Sequence, residues 1–253
     1  MLFCSVNGLL PDKGWQKAAG QGYLQWGWAT ELRQPNWCSI NPKFFVVVIT
    51  TAIIKYCVNL IGGSSVQSTC LVKLSQSCKE YKIISRRFQD SWSSLKGTCA
   101  ELTTAFAVVN PTIEQRFSDY VASLRCRGAL SHIEQYFQGT ILQCDIAKSQ
   151  KLCNEEMCAI CGICKRGFDE KLIATHIPTW MRFGMGMYLA PNSSKCHEYT
   201  RRAHCHRAML WCDVAPGRKW VVAPPDELTF SHTTQCPQGY DCIYGHQGCL
   251  NYI

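Results

Sequence analysis

The stretch Arg182–Thr200, RFGMGMYLAPNSSKCHEYT, carries the clearest structural pattern in the chain. Two glycines, Gly184 and Gly186, let the backbone approach a ligand without interference from side chains. The apolar run 187–190 is strand-like and ends at a Pro-Asn pair. A helix is predicted next, with a residue of the Asn-Ser-Ser run as its N-cap. The pattern therefore predicts a strand, a turn and a helix beside one cleft.

Two tyrosines lie on either side of this turn. Tyr188 falls on the predicted strand and Tyr199, eleven residues later, falls on the predicted helix. We expect both rings to face the cleft, where aromatic faces could hold a flat ring between them. Taken singly, each tyrosine also fits an ordinary core position.

Further motifs follow the same order and spacing as those of one known family. Together with Arg182–Thr200 they resemble the catalytic domain of poly(ADP-ribose) polymerases, over roughly residues 80–253. Within the family the chain resembles fungal-type members with an inserted cysteine cluster, and it shares the motif Cys-His-Arg-x-Met-Leu with tankyrases. The matching motifs are Phe137–Gln138–Gly139–Thr140, Cys205–Gly217, Gly239–Gly245 and Leu250–Tyr252.

The resemblance implies a fold, an activity and a binding site. The implied fold is α+β, with the split antiparallel β-sheets and flanking helices of ADP-ribosyltransferases. The implied reaction transfers ADP-ribose from NAD+ to a protein or other acceptor and releases nicotinamide. In the site, the Gly139 backbone and the Thr140 hydroxyl would hold the carboxamide. Tyr188 and Tyr199 would enclose the ring, and Cys196 stands where the family usually has serine.

Two departures from the family pattern bear on catalysis. Gln138 stands where the family has the histidine that orients the adenosine-side ribose, and an amide cannot carry that charge. The third catalytic position, often a glutamate, comes shortly after the last motif, but Tyr252 is followed by Ile253 and the sequence stops. We therefore expect a C-terminally truncated domain, which is mono-ADP-ribosylating, weak, or inactive with a retained binding pocket.

A cysteine-rich insertion follows Thr140. A Cys-x2-Cys pair bends readily into two corners of a tetrahedral zinc site. The spacing therefore predicts one structural zinc, although free or partly oxidised thiols are the alternative. Cys164 adds a further Cys-x2-Cys pair. The predicted zinc ligands are Cys144, Cys153, Cys158 and Cys161.

A second cysteine and histidine patch, 204–206 with Cys196, His197 and Cys212 nearby, resembles in wording the zinc region of tankyrases. It lacks the full ligand set at the family spacing. A second zinc site is therefore only an alternative for this patch.

Composition narrows the functional classes. The chain has 253 residues, of which 47% are hydrophobic and 17% charged, so it can bury a sizeable core. Eighteen cysteines without a recognisable signal peptide favour a reducing compartment, and we expect an intracellular location in the nucleus or cytoplasm. The net charge of +8 is spread along the chain and supports nucleic-acid binding only weakly.

The chain divides into two predicted regions. Residues 1–80 form an N-terminal extension of unknown function, and residues 81–253 form the catalytic domain, incomplete at its C-terminus. The extension contains an apolar segment at 44–61 that is interrupted by Lys55. Because its uninterrupted part is shorter than the roughly 20 residues that span a bilayer, we interpret 44–49 as a buried strand rather than a membrane helix.

Three functions remain as hypotheses. The first is an NAD+ ADP-ribosyltransferase. The second is an inactive relative that keeps the NAD pocket as a binding or interaction module, which the substitution at Gln138 favours. The third is a cysteine-rich zinc protein that binds nucleic acid, which leaves Arg182–Thr200 unexplained.

Overall fold

The computed structural model describes residues 2–5, 43–49, 69–130, 132–168, 186–202, 206–222 and 236–245. Strands and helices follow one another along the described chain, as an α+β fold requires. The helices are α1 (Lys79–Asp90), α2 (Pro111–Cys126), α3 (Ile146–Ser149), α4 (Ala159–Arg166) and α5 (Ser193–His197). The strands are β1 (Leu2–Ser5), β2 (Lys43–Ile49), β3 (Cys70–Lys73), β4 (Glu101–Val109), β5 (Glu134–Gly139), β6 (Ile141–Leu142), β7 (Gly186–Leu189), β8 (Arg201–Arg202), β9 (Arg207–Val214), β10 (Lys219–Val222) and β11 (Cys242–Gly245).

These strands form separate sheets. A five-stranded sheet has the order β3-β4-β2-β9-β5, and a four-stranded sheet has the order β10-β11-β1-β7. A third sheet pairs β6 with β8 in parallel. The predicted fold class, α+β with split sheets, is confirmed. The sheets are mixed, however, because β2 runs parallel to both neighbours and β10 runs parallel to β11.

Helices α1 and α2 each begin after a residue whose side chain accepts a hydrogen bond from the first turn. Cys78 precedes α1, and its sulfur accepts a hydrogen bond from the Tyr81 backbone N–H. Asn110 precedes α2 and accepts from Ile113 N–H, while Pro111 occupies the first turn, where its missing N–H costs nothing. The sequence predicts a strand that includes Phe106–Val109, a turn at Asn110–Pro111 and a helix after it, and the structure confirms all three.

The five-stranded sheet carries a hydrophobic core on each face, because side chains alternate along its strands. One core packs α1 against the sheet and the other packs the cysteine-rich insertion against it. The first core includes Ile84, Phe88, Ala107, Phe137 and Trp211. The second includes Phe106, Tyr136, Leu142, Ile146, Ile160, Cys161 and Leu210.

Two strands from the N-terminal region lie inside the sheets. β2 lies between β4 and β9, and β1 lies between β7 and β11. The strand predicted at 44–49 is confirmed, whereas residues 50–61 of the apolar segment lie outside the described part of the chain. The domain boundary after residue 80 stays a prediction. Among the described helices, none combines the length and apolar character that a bilayer crossing demands.

The interior position of β2 generates a prediction. Val47 pairs in register with Phe106 on one side and with Leu210 on the other. Val47→Pro removes a backbone N–H between two buried strands and leaves an acceptor unpaired, which costs about 1–3 kcal/mol.

Thermal unfolding measures this cost, and Val47→Thr is the matched control because it keeps the N–H and strand propensity. We expect the proline variant to lose stability and the threonine variant to unfold near the wild type. Equal melting temperatures for proline and wild type would contradict the central position of β2.

Candidate functional site

The candidate site lies where β5 meets β7. Phe137 and Ala190 form an antiparallel bridge, in which Phe137 N–H donates to Ala190 O at 2.8 Å and Ala190 N–H donates to Phe137 O at 3.0 Å. On its other side, β5 pairs with β9. Backbone groups two residues apart in an antiparallel strand point the same way. The N–H and C=O of Gly139 therefore point to the same side of β5 as those of Phe137, which is the side that Ala190 occupies.

Gly139 is in close contact with the backbone of α5. A Cβ atom at position 139 would lie 1.9 Å from the carbonyl oxygen of Cys196 and 2.8 Å from its carbonyl carbon. No side chain fits at such distances. Glycine is required here by close packing of two backbones rather than by a left-handed turn.

The Cys196 thiol completes this contact. It is fully enclosed and donates a hydrogen bond to Phe137 O over 3.0 Å. Burial raises the pKa of this thiol to about 12, and backbone hydrogen bonding from Ala190 and Gly139 only partly opposes that rise. Cys196 is therefore a neutral, weak donor whose sulfur lies beside the Gly139 backbone.

Two serines, of which Ser193 was predicted only as a candidate N-cap, anchor α5 to the end of α1. Ser193 Oγ donates to Phe88 O at 2.6 Å, and Ser193 N–H donates to Ser91 Oγ at 3.1 Å. Ser194 Oγ accepts from the backbone N–H of Ser93 at 3.1 Å. These bonds fix the position of Cys196. The Ser-Ser pair was visible in the sequence, but its partners lie about a hundred residues earlier.

The two tyrosines occupy different surroundings. Tyr188 lies on β7, as predicted, and packs half-buried against Val222 and Ile243. Tyr199 was predicted on the helix, and this was wrong: α5 ends at His197, and Tyr199 lies in the following turn. Its side chain is 43% exposed, with the Lys195 ammonium 5.5 Å from the ring centre. The helix ends early because Tyr199 N–H and Thr200 N–H bond carbonyls three residues back.

Gln138 lies on the opposite face of β5 from Phe137, in register with Leu210. Its Oε1 atom is buried, and no group in the described residues donates a hydrogen bond to it. A buried acceptor without a donor costs about 1–3 kcal/mol, which a bound ligand can recover. Thr140 follows directly, half-buried between β5 and β6.

Two polar side chains, those of His197 on α5 and Arg207 on β9, are in contact. Arg207 Nη1 lies 3.2 Å from His197 Nε2, and the His197 ring packs on Trp92 at 5.1 Å between centres. Burial, with the Arg207 charge, lowers the pKa of His197 to about 4. The imidazole is therefore neutral at pH 7 and accepts through Nε2, which places its proton on Nδ1. His197 acts here as a packing residue.

The four predicted metal-binding cysteines converge. The sulfurs of Cys144, Cys153, Cys158 and Cys161, hereafter the cysteine cluster, all lie within 4.8 Å of one another. Cys144 Sγ is 3.6 Å from Cys161 Sγ and 3.9 Å from Cys158 Sγ. Four thiolates bound to one zinc at about 2.3 Å would be about 3.8 Å apart. The cluster therefore has the dimensions of a tetrahedral zinc site.

Backbone N–H groups point at two of these sulfurs. Gln143 N–H donates to Cys158 Sγ and Cys153 N–H donates to Cys161 Sγ, both at 3.4 Å. Hydrogen bonds, first of all with Cys161, lower the pKa of Cys158 to about 4. Burial, together with the Cys158 charge, raises the pKa of Cys144 to about 12. The cluster thus favours a thiolate at Cys158, and deprotonation of the other thiols requires a bound cation that offsets the added negative charge.

Other cysteines nearby have different roles. Cys164 is fully buried in the core beside the cluster, and Cys212 is buried on β9. Within the described ranges, the cysteine cluster is the one convergent group of metal-binding side chains. His204 and Cys205, which belong to the second predicted patch, lie outside those ranges, as do Gly184 and the Leu250–Tyr252 motif.

The contact between Gly139 and Cys196 generates a prediction. Gly139→Ala forces α5 away from β5, and overpacking of this kind costs about 1–3 kcal/mol. Gly162→Ala is the control, because there the added methyl meets only the movable end of Arg166, 2.9 Å away. Thermal unfolding should show a loss for Gly139→Ala and little change or a gain for Gly162→Ala. Equal stability of Gly139→Ala and wild type would contradict the close packing.

The comparison with known proteins agrees with this geometry. Residues 78–248 match the family model of the poly(ADP-ribose) polymerase catalytic domain, which covers more than half of the chain. No curated protein matches the chain in a sequence search. The similarity to fungal-type members and tankyrases stays a prediction. The matched region runs from the N-cap of α1 to just beyond β11, and it contains the bridge, α5 and the cysteine cluster. The chain therefore belongs to the poly(ADP-ribose) polymerase catalytic domain family.

Proposed function

We propose that the chain binds NAD+ at the end of β5 and transfers ADP-ribose to an acceptor, with release of nicotinamide. The observation that carries this proposal is the backbone edge of Gly139, which lies beside the bridge and is packed against Cys196. An amide oxygen can accept from the Gly139 N–H, and the Gly139 carbonyl can accept from the amide nitrogen. The nicotinamide carboxamide offers both groups.

The reaction places further demands on the site. Cleavage of the bond between nicotinamide and ribose develops positive charge on the ribose, so the carboxamide and the ribose must both be held in place. Tyr188, Tyr199 and Thr140 are proposed to enclose the nicotinamide end. Tyr199, exposed in its turn, is free to change position when a ring binds.

Gln138 is proposed to contact the ribose on the adenosine side. Its buried Oε1 has no donor in the part of the chain that the structure describes, and a ribose hydroxyl would supply one. An amide can hydrogen-bond the ribose but cannot add charge. We therefore expect weak or mono-ADP-ribosylating activity, with a protein as the acceptor class.

The second candidate function is a catalytically inactive NAD-binding or interaction module. Gln138 favours this function, because it replaces the histidine of the family pattern while the Gly139 backbone edge is kept. The two candidates share nicotinamide binding and differ in turnover, so binding and transfer have to be measured separately.

We further propose that the cysteine cluster binds one zinc ion with a structural role. The four thiols supply the four ligands of a closed tetrahedral site. Backbone N–H groups directed at two of the sulfurs supply the hydrogen bonds that usually surround such ligands. A surface cleft lined by Cys153 and Lys165 gives an entry path. With four protein ligands, zinc would hold the fold and leave no position for substrate.

The nicotinamide proposal predicts binding of a benzamide inhibitor in calorimetric titration. Loss of one stacked ring costs on the order of 1 kcal/mol beyond burial, so Tyr199→Ala should weaken binding roughly fivefold or more. Tyr240→Ala is the matched control, since Tyr240 is exposed to a similar degree, 47% against 43%. Absence of heat and of a thermal shift at millimolar benzamide would remove the proposal.

The catalytic proposal predicts slow transfer of labelled ADP-ribose from NAD+, abolished by Tyr188→Ala. Gln138→His should raise the rate, by up to about 10²–10³-fold, because single orienting or electrostatic groups contribute effects of that order. Fast transfer by the wild type that Tyr188→Ala leaves unchanged would show that the site is wrongly assigned. Benzamide binding without any transfer, even in Gln138→His, would select the inactive module.

The zinc proposal predicts about one zinc per chain by elemental analysis of protein purified without added metal. Removal of the zinc should lower the melting temperature, because the binding energy of a closed thiolate site is folding energy. Cys126→Ser, at an exposed cysteine on α2, should keep full zinc content. A folded, metal-free protein with all four cluster thiols titratable would refute the site.

A further inference from the structure

We infer that zinc in the cysteine cluster controls affinity at the nicotinamide end of the site, so that metal occupancy regulates NAD+ binding. This inference rests on the proposed function. Its basis is that both sides of the nicotinamide end are connected to the cluster through a two-stranded sheet.

The first connection runs along the chain. Gly139 ends β5, Thr140 follows, β6 comes next, and Cys144 begins the cluster. Gln143, between β6 and Cys144, donates its backbone N–H to Cys158 Sγ at 3.4 Å. If Cys158 binds zinc as a thiolate, this hydrogen bond becomes stronger, because hydrogen bonds to charged acceptors are about twice as strong as those between neutral groups. Zinc would therefore fix the position of the strand that leaves Gly139.

The second connection runs through strand pairing. β6 pairs with β8 in register, Ile141 with Arg201 and Leu142 with Arg202. Tyr199 lies two residues before β8, in the turn after α5. A two-residue strand pair is marginal by itself. Whatever stabilises β6 also limits the positions open to Tyr199.

Burial makes the two connections rigid. Leu142 is 1% exposed and Ile146 is fully buried, and both pack in the same core as Cys158, Ile160 and Cys161. Packed interiors transmit displacement because they have few voids. Loss of the metal would loosen the insertion and, through Leu142, the β6 and β8 pair. The nicotinamide end would then have to be ordered upon binding, which lowers affinity.

The inference can be tested by measuring either benzamide binding or zinc binding, because the two affinities are thermodynamically linked. If zinc strengthens benzamide binding by some factor, then benzamide strengthens zinc binding by the same factor. Couplings between sites in proteins usually amount to about 5- to 150-fold. We expect the zinc-loaded full chain to bind benzamide at least about fivefold more tightly than the same protein after zinc removal by a chelator.

The experiment has two arms. Calorimetry measures benzamide affinity for zinc-loaded, chelator-treated and zinc-reconstituted full chain, with Cys126→Ser treated identically as the control variant. The reciprocal arm starts from the loaded wild type and measures the equilibrium partition of zinc between the protein and a chromogenic chelator, which saturating benzamide should shift several-fold toward the protein. Because this arm starts from zinc-loaded protein, it requires no prior preparation of the stripped chain.

The outcomes separate this inference from the proposed function. Benzamide binding of equal strength with and without zinc, or a zinc partition that benzamide does not change, overturns the coupling and leaves both sites in place. Purified protein without zinc refutes the metal site, and the coupling falls with it. Zinc-loaded protein that binds no benzamide refutes the nicotinamide site instead. Cys153→Ser, at the rim of the cluster, should reduce zinc content and benzamide affinity together.

Discussion

The backbone bridge between Phe137 and Ala190 is the interaction on which the site depends. It joins β5 of the five-stranded sheet to the end of β7 of the four-stranded sheet. Phe137 O also accepts from the Cys196 thiol, so the same residue holds α5. The side chain of Phe137 is fully buried against Phe88 and Trp211. One residue thus positions two sheets and a helix through its backbone and its side chain.

The bridge sets the direction of the Gly139 backbone groups. Phe137 uses its N–H and C=O for Ala190, and Gly139, two residues on, directs its own pair to the same side, opposite Tyr188 in the antiparallel register, while the pairing of β5 with this segment is the single bridge. Contact with the Cys196 carbonyl excludes any side chain at Gly139. Strand alternation and close packing therefore produce a polar backbone edge, which is what recognition of a planar amide requires.

The cysteine cluster extends this arrangement. It begins five residues after Gly139 and lies against the second face of the five-stranded sheet, opposite α1. The sheet is therefore stabilised from one face by an ordinary helix and from the other by an insertion with few regular elements. A bound metal would stabilise such an insertion, because bonds between the metal and the thiolates replace the burial of apolar surface that a short segment cannot provide.

Local patterns in the sequence determined the strand at 44–49, the strand, turn and helix around Asn110, and the convergence of four cysteines, whereas the α+β class was implied by the family resemblance. These features depend on spacing, caps and ligand type, which neighbouring residues encode. Tertiary structure alone decided that β2 lies in the middle of a sheet, that Ser193 bonds Phe88 and that α5 ends before Tyr199. Each of these depends on a partner distant in the chain or on competition for a backbone hydrogen bond, and one sequence does not reveal which partner prevails.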